Sequence, residues 1–273
     1  MTVSTLNLSI ADIPVTLRLN NLDEPMRARL LERYAPFVAA APSKAISIDV
    51  QVEPGPEYIQ FESAVTWQIK NTVQAGRLEF ESYMEKGWLD LTAGHGALTL
   101  RPKGDTENFL RVLYARQCLD HGALLLHASG VIRQGKGYVF FGPSGSGKTT
   151  ISELSLDHTV LSDDLVIVKK CGRTCRVYGV PFRGDLPEAP RTNAEADLRG
   201  LFMLVKADEH RLAPVSAPEA VARLAACVPF VMSQPANAGR VAELCADMVA
   251  SAPVFALHFR REAGFWSVID ELG

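Results

Sequence analysis

The stretch Gly142-Pro-Ser-Gly-Ser-Gly-Lys-Thr149 constrains this chain more than any other. Gly142, Gly145 and Gly147 let a loop turn its backbone N–H groups inward with no Cβ in the way. Such a loop cradles phosphate oxygens, with Pro143, Ser144, Ser146 and Thr150 completing the set around the anion. Lys148 brings a compact cation to the β and γ phosphates, and Thr149 offers a hydroxyl to magnesium. The motif calls for a strand before it and a helix after it. Tyr138–Phe141 is an apolar strand and Thr149–Leu156 reads as a helix, whose N-terminal partial charge faces the anion. The ligand that follows is ATP with Mg2+.

Two further features lie close by in sequence. Asp163 and Asp164 follow Lys148 by only 15 and 16 residues (163 − 148 and 164 − 148). A helix over about eight of these residues carries the chain roughly 12 Å from the phosphates. A return strand of about four residues, Thr159–Leu161 and its flank, recovers roughly 13 Å. The acidic pair is therefore expected at the carboxyl end of an adjacent parallel strand, the edge where open α/β sheets bind ligands. Two carboxylates there divide the labour: one holds magnesium with Thr149, the other takes a proton from an attacking hydroxyl. His127 lies on the apolar strand Ala123–Ile132. A hairpin turn Arg133–Gly137 centred on Gly135 sets it opposite Pro143, at the mouth of the loop. There an imidazole can bond a phosphate or tune a carboxylate; a satisfied core histidine is the alternative.

The totals bound the rest. A chain of 273 residues holds one large domain or two modest ones. Residues 1–120 read as a smaller, strand-rich domain with strands at Leu6–Ile10, Pro14–Leu19, Ala45–Val52, Tyr58–Phe61, Leu78–Tyr83 and Trp88–Leu91. One helix, Glu24–Val38, interrupts them, and His95 is placed in the turn Ala93–Gly96. A helix over Glu107–Asp120, stopped by Gly122, bridges to residues 121–273, which carry the loop. Beyond it come a hairpin of Leu165–Lys169 with Arg176–Tyr178, a helix Ala217–Ala226 opened by Ser216-x-x-Glu219, a helix Arg240–Ala250, a strand Val254–Phe259 and a helix Phe265–Leu272. The net charge of -3 gives no reason to expect nucleic acid or an anionic membrane as partner. No apolar run of spanning length and no basic-then-apolar leader is visible, so the expected location is cytoplasmic. Five cysteines make no disulfide framework. Cys171 and Cys175 flank a turn without the further ligands a metal site needs, and are read as packing residues.

Taken together, Leu124-Leu-Leu-His-Ala-Ser-Gly-Val-Ile132, the glycine-rich loop, Leu161-Ser-Asp-Asp-Leu-Val-Ile-Val168 and Tyr178-Gly-Val-Pro-Phe182 carry a resemblance. From Ala123 to Val205 the chain resembles the C-terminal domain of HPr kinase/phosphorylase, a P-loop protein-serine kinase related to ATP-dependent phosphoenolpyruvate carboxykinases. The resemblance implies an α/β fold, a P-loop kinase core of that type preceded by a strand-rich α+β domain. It implies Lys148 as the phosphate-binding and catalytic lysine, Thr149 as the magnesium-binding hydroxyl, Asp164 as general base, Asp163 as support of the metal, and His127 as an active-site histidine. Asp197-Leu-Arg-Gly-Leu201 resembles the family's E-x-R-G-L stretch, which implies Asp197 as a further metal-linked residue; Asp185, in Pro181-Phe-Arg-Gly-Asp185, competes for that part. A C-terminal arginine is implied too, with Arg240, Arg260 and Arg261 available, as is self-association into a homo-oligomer. The function implied is ATP-dependent transfer of the γ phosphate to a hydroxyl of a peptide, protein or small molecule. The alternative is a nucleotide-responsive switch with no phospho-acceptor.

Overall fold

Alternation of apolar and polar residues builds the first of two sheets. The computed structural model describes residues 4–42, 44–62, 68–182, 184–189, 191–232 and 234–272. It divides into two units, Met1–Tyr114 and Ala115–Gly273. In the first, β1 (Ser4–Ile10) and β2 (Ile13–Asn20) pair across Ala11-Asp12, both at positive φ (51° and 60°), with Ile10 opposite Ile13. A two-residue turn of this hand matches the twist of its strands. Helix α1 (Glu24–Tyr34) is opened by Asp23, whose carboxylate accepts the Met26 N–H at 2.8 Å. It ends sooner than the sequence suggested, because Pro36 turns Ala35–Phe37 into a 3-10 turn. The remaining strands are β3 (Ile46–Val52), β4 (Lys70–Gln74), β5 (Arg77–Glu81), β6 (Glu85–Asp90) and β7 (His95–Leu100). The sheet order is β1-β2-β3-β7-β6-β5-β4, parallel only where β3 meets β2 and β7. Tyr58–Phe61 is irregular rather than a strand, and His95 opens β7 opposite Asp90 instead of turning. Helix α2 (Glu107–Asp120) follows.

The second unit holds β8 (Ala123–Arg133), β9 (Lys136–Phe141), α3 (Lys148–Glu153), β10 (Thr159–Ser162), β11 (Leu165–Cys171), β12 (Thr174–Tyr178), β13 (Glu195–Lys206), β14 (Arg211–Pro214), α4 (Ala217–Ala225), α5 (Pro235–Ser251), β15 (Val254–Phe259) and α6 (Phe265–Asp270). Two long strands organise it. β8 carries β9 on one edge and, in succession, β10 and β11 on the other. That second partner continues almost in register, from Ser162 opposite Gly130 to Leu165 opposite His127, broken only at Asp163-Asp164. β13 carries β9 on one edge and β12 then β15 on the other, so the pairings β8–β9–β13–β12–β11–β8 close a circuit. The fold is α/β with mixed sheets.

This corrects the expected route to the acidic pair. β10 is not the parallel neighbour of β9; β8 lies between them, antiparallel to both. The parallel neighbour is β13, a strand the sequence reading did not assign. Phe140 of β9, Phe202 of β13, Leu257 and Phe259 of β15, Ile151 of α3, and Phe265 and Trp266 of α6 pack as one cluster. Each such buried side chain contributes about 1.5–3 kcal/mol of hydrophobic stabilisation, and Ile151 ties α3 to that core.

Candidate active site

Strand β9 delivers Phe141 into the loop, and the loop's shape depends on glycine. Gly147 sits at φ 108°, where a Cβ would fall 2.6 Å from Phe259 Cζ at the end of β15. Pro143, Ser144 and Gly145 form an exposed tip. Ser146 is buried, and its hydroxyl has no hydrogen-bond partner among the described residues. Lys148 is buried as well, with Nζ donating to the carbonyls of Gly142 at 3.1 Å and Pro143 at 3.3 Å. Burial holds its ammonium below the usual lysine range, with Cys227 and Asp164 pulling the other way. The helix after the loop is short, Lys148–Glu153 rather than Thr149–Leu156. It is fixed on β8 by a buried contact of Ser152 Oγ with Ser129 Oγ at 2.7 Å.

The acidic pair occupies the break between β10 and β11. Ser162 Oγ accepts both the Asp164 and Leu165 N–H groups at 3.2 Å, so the interrupted ladder leaves these amides satisfied. The two carboxylates then face different surroundings. Asp163 is buried, and its Oδ2 accepts from Thr149 Oγ1 at 3.4 Å, the Asp185 N–H at 2.9 Å and the Leu186 N–H at 3.1 Å. Asp164 Oδ1 lies 3.3 Å from His127 Nε2, with 29% of the histidine side chain and 15% of the aspartate side chain exposed.

His127 reaches this position through register. The β8–β9 turn is the two residues Gln134-Gly135, at φ 53° and 75°, so Ala128 faces Phe141. His127 is thus one step beyond the last pair, beside Gly142, one residue from the expected partner Pro143. Its N–H donates to the Cys227 carbonyl at 2.7 Å. The Cys227 thiol in turn bonds the Gly142 backbone, and burial pushes that thiol up. No sequence signal pointed to Cys227, since its place arises from the α4–α5 connection about 85 residues after the loop begins (227 − 142).

A family model described as "SynChlorMet cassette protein ScmC" matches residues 106–272, more than half of the chain. The chain belongs to the ScmC family. No curated protein matches this ScmC-family chain. Among solved structures, the HPr(Ser) kinase/phosphatase from Coxiella burnetii aligns with 16% identity over 33% of this chain and 77% of that one, at a TM-score of 0.27. A score that low lends no weight to fold or function.

In this ScmC-family chain, the structure gathers His127, Gly142–Thr150, Asp163 and Asp164 where β9 ends beside the middle of β8, with the Asp185 amide against them. It does not bring Asp197 there. Asp197 faces Lys136 at the start of β9, whereas the loop leaves from Phe141, opposite Met203. Six strand residues, roughly 20 Å, separate the two ends. The Asp197 side chain is 78% exposed and pairs with Arg176 at 3.1 Å. The E-x-R-G-L-like stretch therefore stands at the wrong end of β13 for a metal at Thr149. Among the C-terminal arginines, Arg240 pairs with Glu243, Arg260 with Glu262, and Arg261 with Glu153 on α3. Among the described residues no three His, Cys, Asp or Glu side chains converge as a metal site made by protein alone. No described helix is long and apolar enough to cross a membrane.

Proposed function

We propose that the chain is an ATP-dependent kinase that transfers the γ phosphate to a hydroxyl of a peptide, protein or small molecule. The observation that carries this reading is the contact of His127 Nε2 with Asp164 Oδ1 at 3.3 Å, next to the loop that holds Lys148 and Thr149. A nucleotide switch needs a carboxylate near the metal but no second carboxylate paired with an imidazole. The loop suits a triphosphate: the Ser146 hydroxyl is buried without a partner among the described residues, and Lys148 rests on two carbonyls that a phosphate replaces as acceptor. Magnesium would be held by Thr149 with the edge of Asp163, the remaining positions falling to phosphate oxygens and water.

The chemistry asked of the residues is modest. Asp164, oriented by His127, takes the proton of the acceptor hydroxyl as its oxygen bonds to the γ phosphorus. The bond from that phosphorus to the β–γ bridging oxygen breaks, and Lys148 neutralises charge on the departing diphosphate. The test is transfer from γ-labelled ATP into a lysate of the host cell, with Asp164→Asn as control and Mg·ATP affinity measured by calorimetry on both proteins. Transfer is expected to fall about 10²–10⁴-fold, with affinity changed only a few-fold. Transfer at the wild-type rate by Asp164→Asn sinks the base assignment. A nucleotide-driven response that survives in Asp164→Asn, without any labelled acceptor, favours the switch.

A further inference from the structure

Asp163 is 3% exposed, less than any other carboxylate of the site. Two of the three donors to its Oδ2 are consecutive backbone amides, those of Asp185 and Leu186. The residue before them, Gly184, is pressed against the same carboxylate. A Cβ built there would lie 2.4 Å from Oδ1 and 2.5 Å from Oδ2. Beneath the segment, between Leu161, Asp163, Phe182 and Leu186, a cavity of only about 10 Å³ remains. That is the lower limit for one water, about 10–15 Å³. On this side the described groups against Asp163 are the backbone of Gly184, Asp185 and Leu186. Hydrogen bonds to a charged acceptor are the stronger kind, so two amides on one oxygen make a firm attachment.

We infer that Asp163 is a positioning residue whose carboxylate fastens Gly184–Leu186 across the break between β10 and β11, making that segment the fixed rim of the site. The same oxygen touches Thr149, so α3, the strand break and the rim are tied at a single atom. Asp185 is exposed on the rim, 22 residues from Asp163 in sequence, and its place there is set by the backbone bond rather than by its own side chain. Gly184 is required because any side chain would enter the carboxylate. What the rim serves rests on the phosphotransfer reading; the fastening itself needs neither nucleotide nor metal.

Hydrogen exchange at the Asp185 and Leu186 amides, read by mass spectrometry in the absence of nucleotide and metal, tests this. Asp163→Ala removes both acceptor oxygens, and both amides are expected to exchange about ten- to a hundredfold faster. Asp163→Asn retains one carboxamide oxygen as acceptor and is expected to give intermediate protection, a graded rescue that mere space-filling does not produce. Gly184→Ala leaves Asp163 intact, yet is expected to free the same two amides by pushing the segment off. It decides the matter if Asp163→Ala does not fold. Wild-type exchange at both amides in these variants overturns the fastening and leaves the kinase reading standing. Failure of the wild-type chain to bind Mg·ATP overturns that reading and leaves the rim in place.

Discussion

The two sheets contain similar numbers of strands but bury them in different ways. In the first, β2 and β5 alternate residue by residue between core and surface, so one face is packed and the other is wet. In the second, β8, β9 and β11 are buried over continuous runs such as Ala123–Leu126 and Gly137–Phe141, with chain on both faces. A one-sided sheet can place polar residues on its wet face at no cost. A two-sided sheet cannot, so each polar group inside it needs a partner or a task. Ser129 has Ser152, Asp163 has three donors, and Lys148 has two carbonyls. The site lies where the two-sided sheet is interrupted, at the end of β9 and at the gap between β10 and β11.

The largest effects expected from this contrast concern neighbouring residues. Leu125 and Leu126 are consecutive and both fully buried, so Leu125→Ala and Leu126→Ala should each destabilise by about 2–5 kcal/mol. In the first sheet Leu78→Ala should fall in the same range, while Glu79→Ala next to it, on the wet face, should stay within about 0.5 kcal/mol. Urea unfolding of the four variants checks this, and a costly Glu79→Ala would break the comparison. Next comes Lys148→Ala. Its burial works against its charge, so the fold should not depend on it, while Mg·ATP affinity should drop about ten- to a hundredfold. Calorimetry that shows unchanged affinity removes the loop from the site.

Glu85 sharpens the contrast from the other side. It is the buried acid of the first sheet, and burial foremost, with Asp105 and Glu107 adding, raises its carboxyl well above the usual range, against Ser82 and Arg111. An acid raised by folding contributes stability that is complete below its unfolded pKa, about 4.3. That stability is lost as pH rises toward the folded value. Wild-type stability should therefore decline with rising pH above that point, and Glu85→Gln should flatten the slope. Parallel pH–stability curves for the two proteins would contradict it. Losses smaller than those of the core leucines are expected at helix starts. Asp23→Ala loses a 2.8 Å cap and should cost about 1 kcal/mol. Ser216→Ala loses a 3.4 Å one and should cost less, as thermal unfolding will show.

What could be read from the sequence was local. The loop, the β8–β9 and β11–β12 hairpins, α2 and the Ser216 cap all depend on residues within a few positions of one another. His127 and Asp164 were brought together from two short-range arguments, a hairpin register and a helix-strand return, although the return strand proved to lie beyond β8 rather than beside β9. β13 was missed because its first half mixes Glu195, Asp197 and Arg199 with apolar residues, and its partners β9 and β15 lie more than fifty residues away by the registers Leu201 with Val139 and with Val254. Without β13, nothing could show that Asp197 and the loop stand at opposite ends of one strand. β4 and β14 are short strands at sheet edges with no fully buried residue, so burial leaves little pattern to detect.

The hairpin of β8 and β9 also works as a measure of length. Six residues, Ala128–Arg133, run from His127 to the turn, and six, Lys136–Phe141, run back to the loop. Losing one residue from Ala128–Arg133 would turn the imidazole to the opposite face of the sheet, away from Asp164, with every residue of the site still present. Losing two would restore the face but draw the histidine back by about 7 Å. Insertions and deletions in a stretch with no chemistry of its own are thus as damaging as a change to the histidine, and the tolerated ones are those confined to Gln134-Gly135.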